Sequence, residues 1–148
     1  MNTCYPALFY FDTESDSYFV TFPDFENSAT QGDTIAEALA MASEYLGITL
    51  ADYIEREDKV PNSSNINHLS LKENYPFKND SGIDDSLYDF DKSFISMVST
   101  DVTQYLNQEK PVKKTLTIPL WADTLGKKLN LNFSKTLTEA IANKHLGV

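Results

Sequence analysis

The residues whose types and spacing best suit chemistry are polar and basic ones near the C-terminus. In Val112-Lys113-Lys114-Thr115-Leu116-Thr117-Ile118-Pro119, strict alternation puts Lys113, Thr115 and Thr117 on one face of an extended strand and Leu116 and Ile118 on the other. Such side chains can read base edges in a DNA major groove while lysines such as Lys114 and Lys135 meet phosphates. A plainer reading is a lysine-rich edge strand that discourages aggregation. Catalytic residue types are scarce by contrast. The single cysteine, Cys4, excludes an internal disulfide and a cysteine zinc cage, and it reads as a small buried hydrophobe. His68 lies in a polar stretch and His145 near the end of an expected helix, where its charge suits the helix dipole. Neither has a metal-ligand or triad partner at a recognisable spacing. There is no phosphate loop, glycine-rich fingerprint or nucleophile elbow, so no catalytic residue, metal or cofactor is assigned.

Charge divides the chain that must carry these residues. Residues 110–148 hold seven lysines and two acids, a net of +5, while the twenty acids and five bases of residues 1–109 give −15. An acidic body therefore precedes a small basic tail. With 148 residues, 41% of them hydrophobic, the chain can bury a real core. No apolar run approaches the roughly 18 residues of a membrane helix, and no signal sequence opens the chain, so a cytoplasmic protein is expected.

In the body, residues 5–11 read as a strand covered on both faces and central in a sheet. Polar residues 12–17 form a hairpin loop to a second strand in which Tyr18, Val20 and Phe22 share a face. Residues 27–31 suggest a short edge strand. Ile35, Ala38, Leu39, Ala42, Tyr45 and Leu46 trace a helical stripe over 35–46, with Thr34 and Glu37 spaced as a capping box and Gly47 placed to end the helix. A second, shorter helical stretch follows from Thr49. Residues 58–92 lose all periodicity and read as a polar insertion, part of which could pair as short strands. A strand over 93–98 follows, then a turn capped by Ser99 or Thr100 and a polar linker at 107–111.

In the tail, Leu120, Trp121, Leu125 and Leu129 trace one helix, Asn130 and Asn132 interrupt it, and Phe133, Leu137, Ala140 and Ile141 trace another. One strand and two short helices cannot pair their backbone or bury these apolar groups alone. A second copy completes the unit economically: two strands form an antiparallel ribbon, and Leu116, Ile118, Trp121, Leu125, Leu129, Phe133, Leu137 and Ile141 form the core between chains. The amides around Asn132 and Ser134, at the start of the last helix, are placed to clamp a phosphate.

The segment Lys113-Lys114-Thr115-Leu116-Thr117-Ile118-Pro119, then Trp121, Leu131-Asn132-Phe133-Ser134 and Leu137-Thr138-Glu139-Ala140, resembles the ribbon-helix-helix tail of HicB-family antitoxins. The strand at 5–10, Pro23-Asp24-Phe25, and Gly32-Asp33-Thr34 followed by Glu37-Ala38 are similar to the HicB body. The resemblance implies an α+β fold: a partial RNase H-like body at 1–106 containing the 58–92 insertion, and a ribbon-helix-helix module at 112–148. It further implies an antitoxin without enzymatic activity. Its partners would be a small basic ribonuclease resembling HicA, which the body occludes, and operator DNA, which the tail binds as a homodimer or higher even oligomer. Acids of the hairpin, Asp12, Glu14 and Asp16, with Asp24 and the neighbouring apolar Phe25, are the candidate toxin contacts. A nuclease reading fits poorly, because Glu37 is claimed by the helix cap and the central strands carry no inward acids to hold two metal ions. The remaining alternative is a stand-alone repressor whose body senses a small molecule.

Overall fold

Residues 1–82, 85–107 and 111–147 are described by a computed structural model. Strand β1 (Asn2–Asp12) forms because Tyr5-Pro6-Ala7-Leu8-Phe9-Tyr10-Phe11 offers apolar side chains to both faces of a sheet, and all seven are buried. It pairs antiparallel with β2 (Ser17–Thr21) on one side and β4 (Tyr88–Asp101) on the other, while β3 (Thr30–Gly32) lies at the edge beyond β2. The sheet order among the described residues is β3-β2-β1-β4. The expected edge strand is thus present, at 30–32 rather than 27–31.

Tyr5, Ala7, Phe9 and Phe11 point to the face covered by helix α1 (Ile35–Glu55), against Ala38, Ala42, Leu46 and Leu50. The helix start follows the capping box, with Thr34 Oγ1 accepting from Glu37 N–H at 3.1 Å. The Glu37 carboxylate returns to Asp33 N–H at 2.8 Å. Its end departs from expectation, because the helix runs straight through Gly47 and absorbs the stretch from Thr49. Gly47 is there for packing: a Cβ would stand 2.2 Å from the Tyr105 ring and 2.8 Å from Thr100 Oγ1. Gly32 serves a similar close approach, since a Cβ would lie 2.4 Å from the backbone nitrogen of Ala38.

The 58–92 region is more than a polar loop. Its scattered apolars Leu71, Tyr75, Phe77 and Leu87, with Tyr88 and Phe90, roof the opposite face of the sheet over Leu8, Tyr10, Phe19 and Ile95. Polar ties hold it down. Tyr10 Oη donates to the Leu71 carbonyl and Tyr5 Oη to the Pro61 carbonyl, both at 2.6 Å, and Asp24 accepts from Ser64 N–H at 3.0 Å and from the Ser64 hydroxyl. The roof stops short of Cys4, which pairs with Ser99 and is exposed rather than buried.

β4 is longer than the expected 93–98. Between the pairs Phe9↔Phe94 and Phe11↔Asp89 it carries surplus residues, a bulge bridged by Ser93, whose Oγ accepts from Phe11 N–H and donates to the Asp89 carbonyl. Its last residue, Asp101, rather than Ser99 or Thr100, caps the 3-10 turn Val102–Tyr105. Of the expected linker at 107–111, residues 108–110 lie outside the described residues.

In the tail, α2 (Leu120–Lys128) and α3 (Phe133–Leu146) form as the spacing predicts. They meet closely, for a Cβ on Gly126 would lie 2.5 Å from the Phe133 ring. Gly147 closes α3 in the left-handed conformation, φ 73°. The residues expected as a strand, 112–119, are exposed and belong to no ladder among the described residues. A strand requires a hydrogen-bonded neighbour, and the expected neighbour is a second chain. On the face of α3 turned away from Phe133 and Leu137, Ala142 and Leu146 are buried, and Leu146 joins the core cluster of the body.

Candidate interaction surfaces

The tail presents its candidate residues outward. Lys113, Lys114, Thr115 and Thr117 are all exposed, as are the candidate core residues Leu116, Ile118, Trp121, Leu125, Leu129, Phe133, Leu137 and Ile141, at 37–68%. An isolated exposed leucine is ordinary, but eight apolar residues over the 112–119 segment and two helices amount to a surface that water covers at a cost. Asn132 is used locally: its Oδ1 accepts from Lys135 N–H at 3.0 Å as the N-cap of α3. Ser134 and Lys135 occupy the first turn of α3, and the Lys135 ammonium lies 3.9 Å from Glu139 in an exposed pair. This pair leaves the lysine available to another anion, because exposed ion pairs are weak.

The body's candidates divide. Glu14 and Asp16 are exposed at the hairpin tip, with Asp16 in the left-handed region at φ 52°. Asp12 builds the tip itself, its Oδ1 accepting from the backbone N–H groups of Glu14 and Ser15 at 2.9 and 3.1 Å. Asp24 fastens the insertion through Ser64. Phe25 corrects the expectation: it is only 5% exposed, with its ring 5.0 Å from Tyr5 and 6.0 Å from Tyr53, a core residue rather than an apolar contact held out for a partner. Its place was hidden in the sequence because the aromatic groups that claim it lie 20 and 28 residues away.

Sequence spacing missed Asp89 and Asp91, which β4 brings to the hairpin end of the sheet through the pairs Phe11↔Asp89 and Asp12↔Tyr88. Only knowledge of the strand register could have placed them there. Among the described residues no three His, Cys, Asp or Glu side chains gather closely enough to hold a metal ion. Nor is any described helix long and apolar enough to cross a membrane.

A family model described as the HicB-like antitoxin of a bacterial toxin-antitoxin system matches residues 4–72, which hold most of β1, all of β2, β3 and α1, and the first part of the insertion. A chain of a solved toxin-antitoxin complex from Streptococcus pneumoniae is 60% identical and superposes with a TM-score of 0.70, over 97% of this chain and 99% of that one. The chain belongs to the HicB-like antitoxin family. Antitoxin HicB 1 of Photorhabdus laumondii is 46% identical over 48 residues, 32% of this chain and 31% of that protein, so the match spans under a third of this curated relative. The Burkholderia pseudomallei antitoxin HicB superposes with a TM-score of 0.55 at 21% identity, over 94% of this chain and 96% of that one. For antitoxin HicB3 the values are 0.51 and 18%, over 96% and 97%. The last two matches bear on fold alone, and they agree with the α+β reading.

Proposed function

We propose that this antitoxin binds and occludes a small basic mRNA-cleaving ribonuclease resembling HicA, and that a dimer of its tail represses the operon by binding operator DNA. The observation that carries the toxin half is the near full-length likeness, at 60% identity, to a chain of a toxin-antitoxin complex. The charge split supports the same assignment. An RNA-cleaving partner must offer cations to phosphate, and a body of net charge −15 with Glu14 and Asp16 at an open tip is complementary to it. The operator half is supported by the +5 tail, by the exposed Lys113, Thr115 and Thr117 face, and by the eight exposed apolar side chains that a second copy would cover. Occlusion needs no chemistry from the antitoxin.

The test is coexpression of the full chain with the product of the adjacent reading frame. That product alone should arrest growth, and the antitoxin should restore growth and co-purify with it. Arrest that persists in the presence of the antitoxin, with no complex formed, would reject the reading.

A further inference from the structure

Helix α1 carries Glu37, Glu44, Asp52 and Glu55 and has no lysine or arginine between Ile35 and Glu55. Together with Met41 and Ile48 these acids fall at offsets 0, 4, 7, 11, 15 and 18, a continuous stripe on the side of the helix away from the sheet. Both apolar members are open to solvent, Met41 at 37% and Ile48 at 53%. Some of the acids have local uses, since Glu37 accepts from Asp33 N–H, Asp52 pairs with Arg56 at 2.9 Å and Glu55 accepts from Asn107 N–H at 2.6 Å. The charge they carry remains. Two of them, Asp52 and Glu55, sit in the last turn, where a helix macrodipole favours cations, and no base from within the helix offsets them. Two apolar groups one heptad apart and bordered by charge match the anatomy of a docking face, an apolar centre with a polar rim.

Register extends this face. The pairs Asp12↔Ser17 and Tyr18↔Gly32 set the hairpin tip at the end of the sheet from which α1 departs three residues after Gly32. The exposed Glu14 and Asp16 therefore stand at the same end of the body as Glu37.

We infer that the outer face of α1, centred on Met41 and Ile48, is the docking surface for the basic toxin, with the hairpin tip at one end of the contact. This rests on the toxin-binding function proposed above and names its surface. Ile48 and Met41 are the anchors, and Glu44 between them meets a cation of the partner.

The experiment measures binding of the full-length antitoxin to the purified product of the adjacent reading frame, for the unaltered chain, for Glu44→Lys and for Met41→Ala with Ile48→Ala. Because all three positions are exposed, thermal unfolding of each variant should match that of the parent. Each variant should weaken binding on the order of tenfold or more, and Glu44→Lys should also slow association at low salt. Variants that bind and neutralise as the parent does would overturn the α1 surface and leave the toxin-binding function standing. A parent chain that does not bind would overturn both. A change in sedimentation of the variants alone, with partner affinity unchanged, would mean that a second copy occupies this face and would likewise overturn the inference.

Discussion

The phenol of Tyr10 lies beneath the roof formed by the insertion, and its hydroxyl is donated to the Leu71 carbonyl. Burial, then the neighbouring phenols of Tyr75 and Tyr88, raise its pKa far above the ordinary 10.0, and Tyr5 and Tyr88 are raised chiefly by burial too. A group whose pKa is raised by folding contributes stability that is complete below the unfolded value and is lost as pH climbs toward the folded one. Absorbance titration should therefore show Tyr5, Tyr10 and Tyr88 ionising later than a free phenol, until base unfolding releases them in one step. Ionisation of these three at the pH of a free phenol would mean that the roof is not closed. Phe25 supports a second test at this scale. As a core residue, Phe25→Ala should cost about 3 kcal/mol of stability in denaturant unfolding, while toxin affinity of the folded fraction stays near that of the parent. The sequence exposed the acids of the hairpin and the alternating tail face plainly, because their signals are local. It misplaced Phe25 and Cys4, whose surroundings are made by distant residues.

Among elements, α1 shows how packing overrides a local signal. Alanine is intrinsically better than glycine within a helix by about 1 kcal/mol. Gly47→Ala should nonetheless destabilise the protein by about 1–3 kcal/mol, because the added methyl meets the Tyr105 ring and Thr100. A raised thermal midpoint for this variant would show that Tyr105 moves aside without cost. The same contact explains why the sequence divided the helix in two: glycine is the usual stop, and the ring that excuses it here comes from a turn 58 residues further on. β2, the first half of α1 and both tail helices were legible because each follows a period of two or 3.6, β1 because of its unbroken apolar run, and the capping box because of the three-residue spacing of Thr34 and Glu37. The roof was not, because its apolar residues are too widely spaced to show a period and declare themselves only against the face they cover.

At the scale of the whole molecule, the exposed apolar surface of the tail sets a clear expectation for assembly. Leu116→Asp would place an unpaired charge between chains, cost several kcal/mol and yield a monomer in sedimentation at micromolar concentration. Operator binding should vanish with the dimer. In the parent, affinity for operator should fall with salt at a log-log slope near −0.9 for each phosphate neutralised, with about six phosphates engaged by the pair of tails. Thr117→Ala should relax preference at particular base pairs at a cost of about 1 kcal/mol or more, whereas Lys135→Ala should weaken all sequences alike. A dimer that persists in Leu116→Asp, or an affinity indifferent to salt, would contradict this assembly.

The burial of Leu146 alters what it means to exchange modules between relatives. The last turn of α3 belongs to the tail by sequence and to the body by packing, since Leu146 sits within the same cluster as Tyr5 and Val60. A tail grafted from another protein, however well it reads its own operator, must bring a leucine-sized group to this position or leave a hole in the foreign body that receives it. Recombination at the charge boundary is therefore constrained by a residue that lies almost forty positions downstream of it.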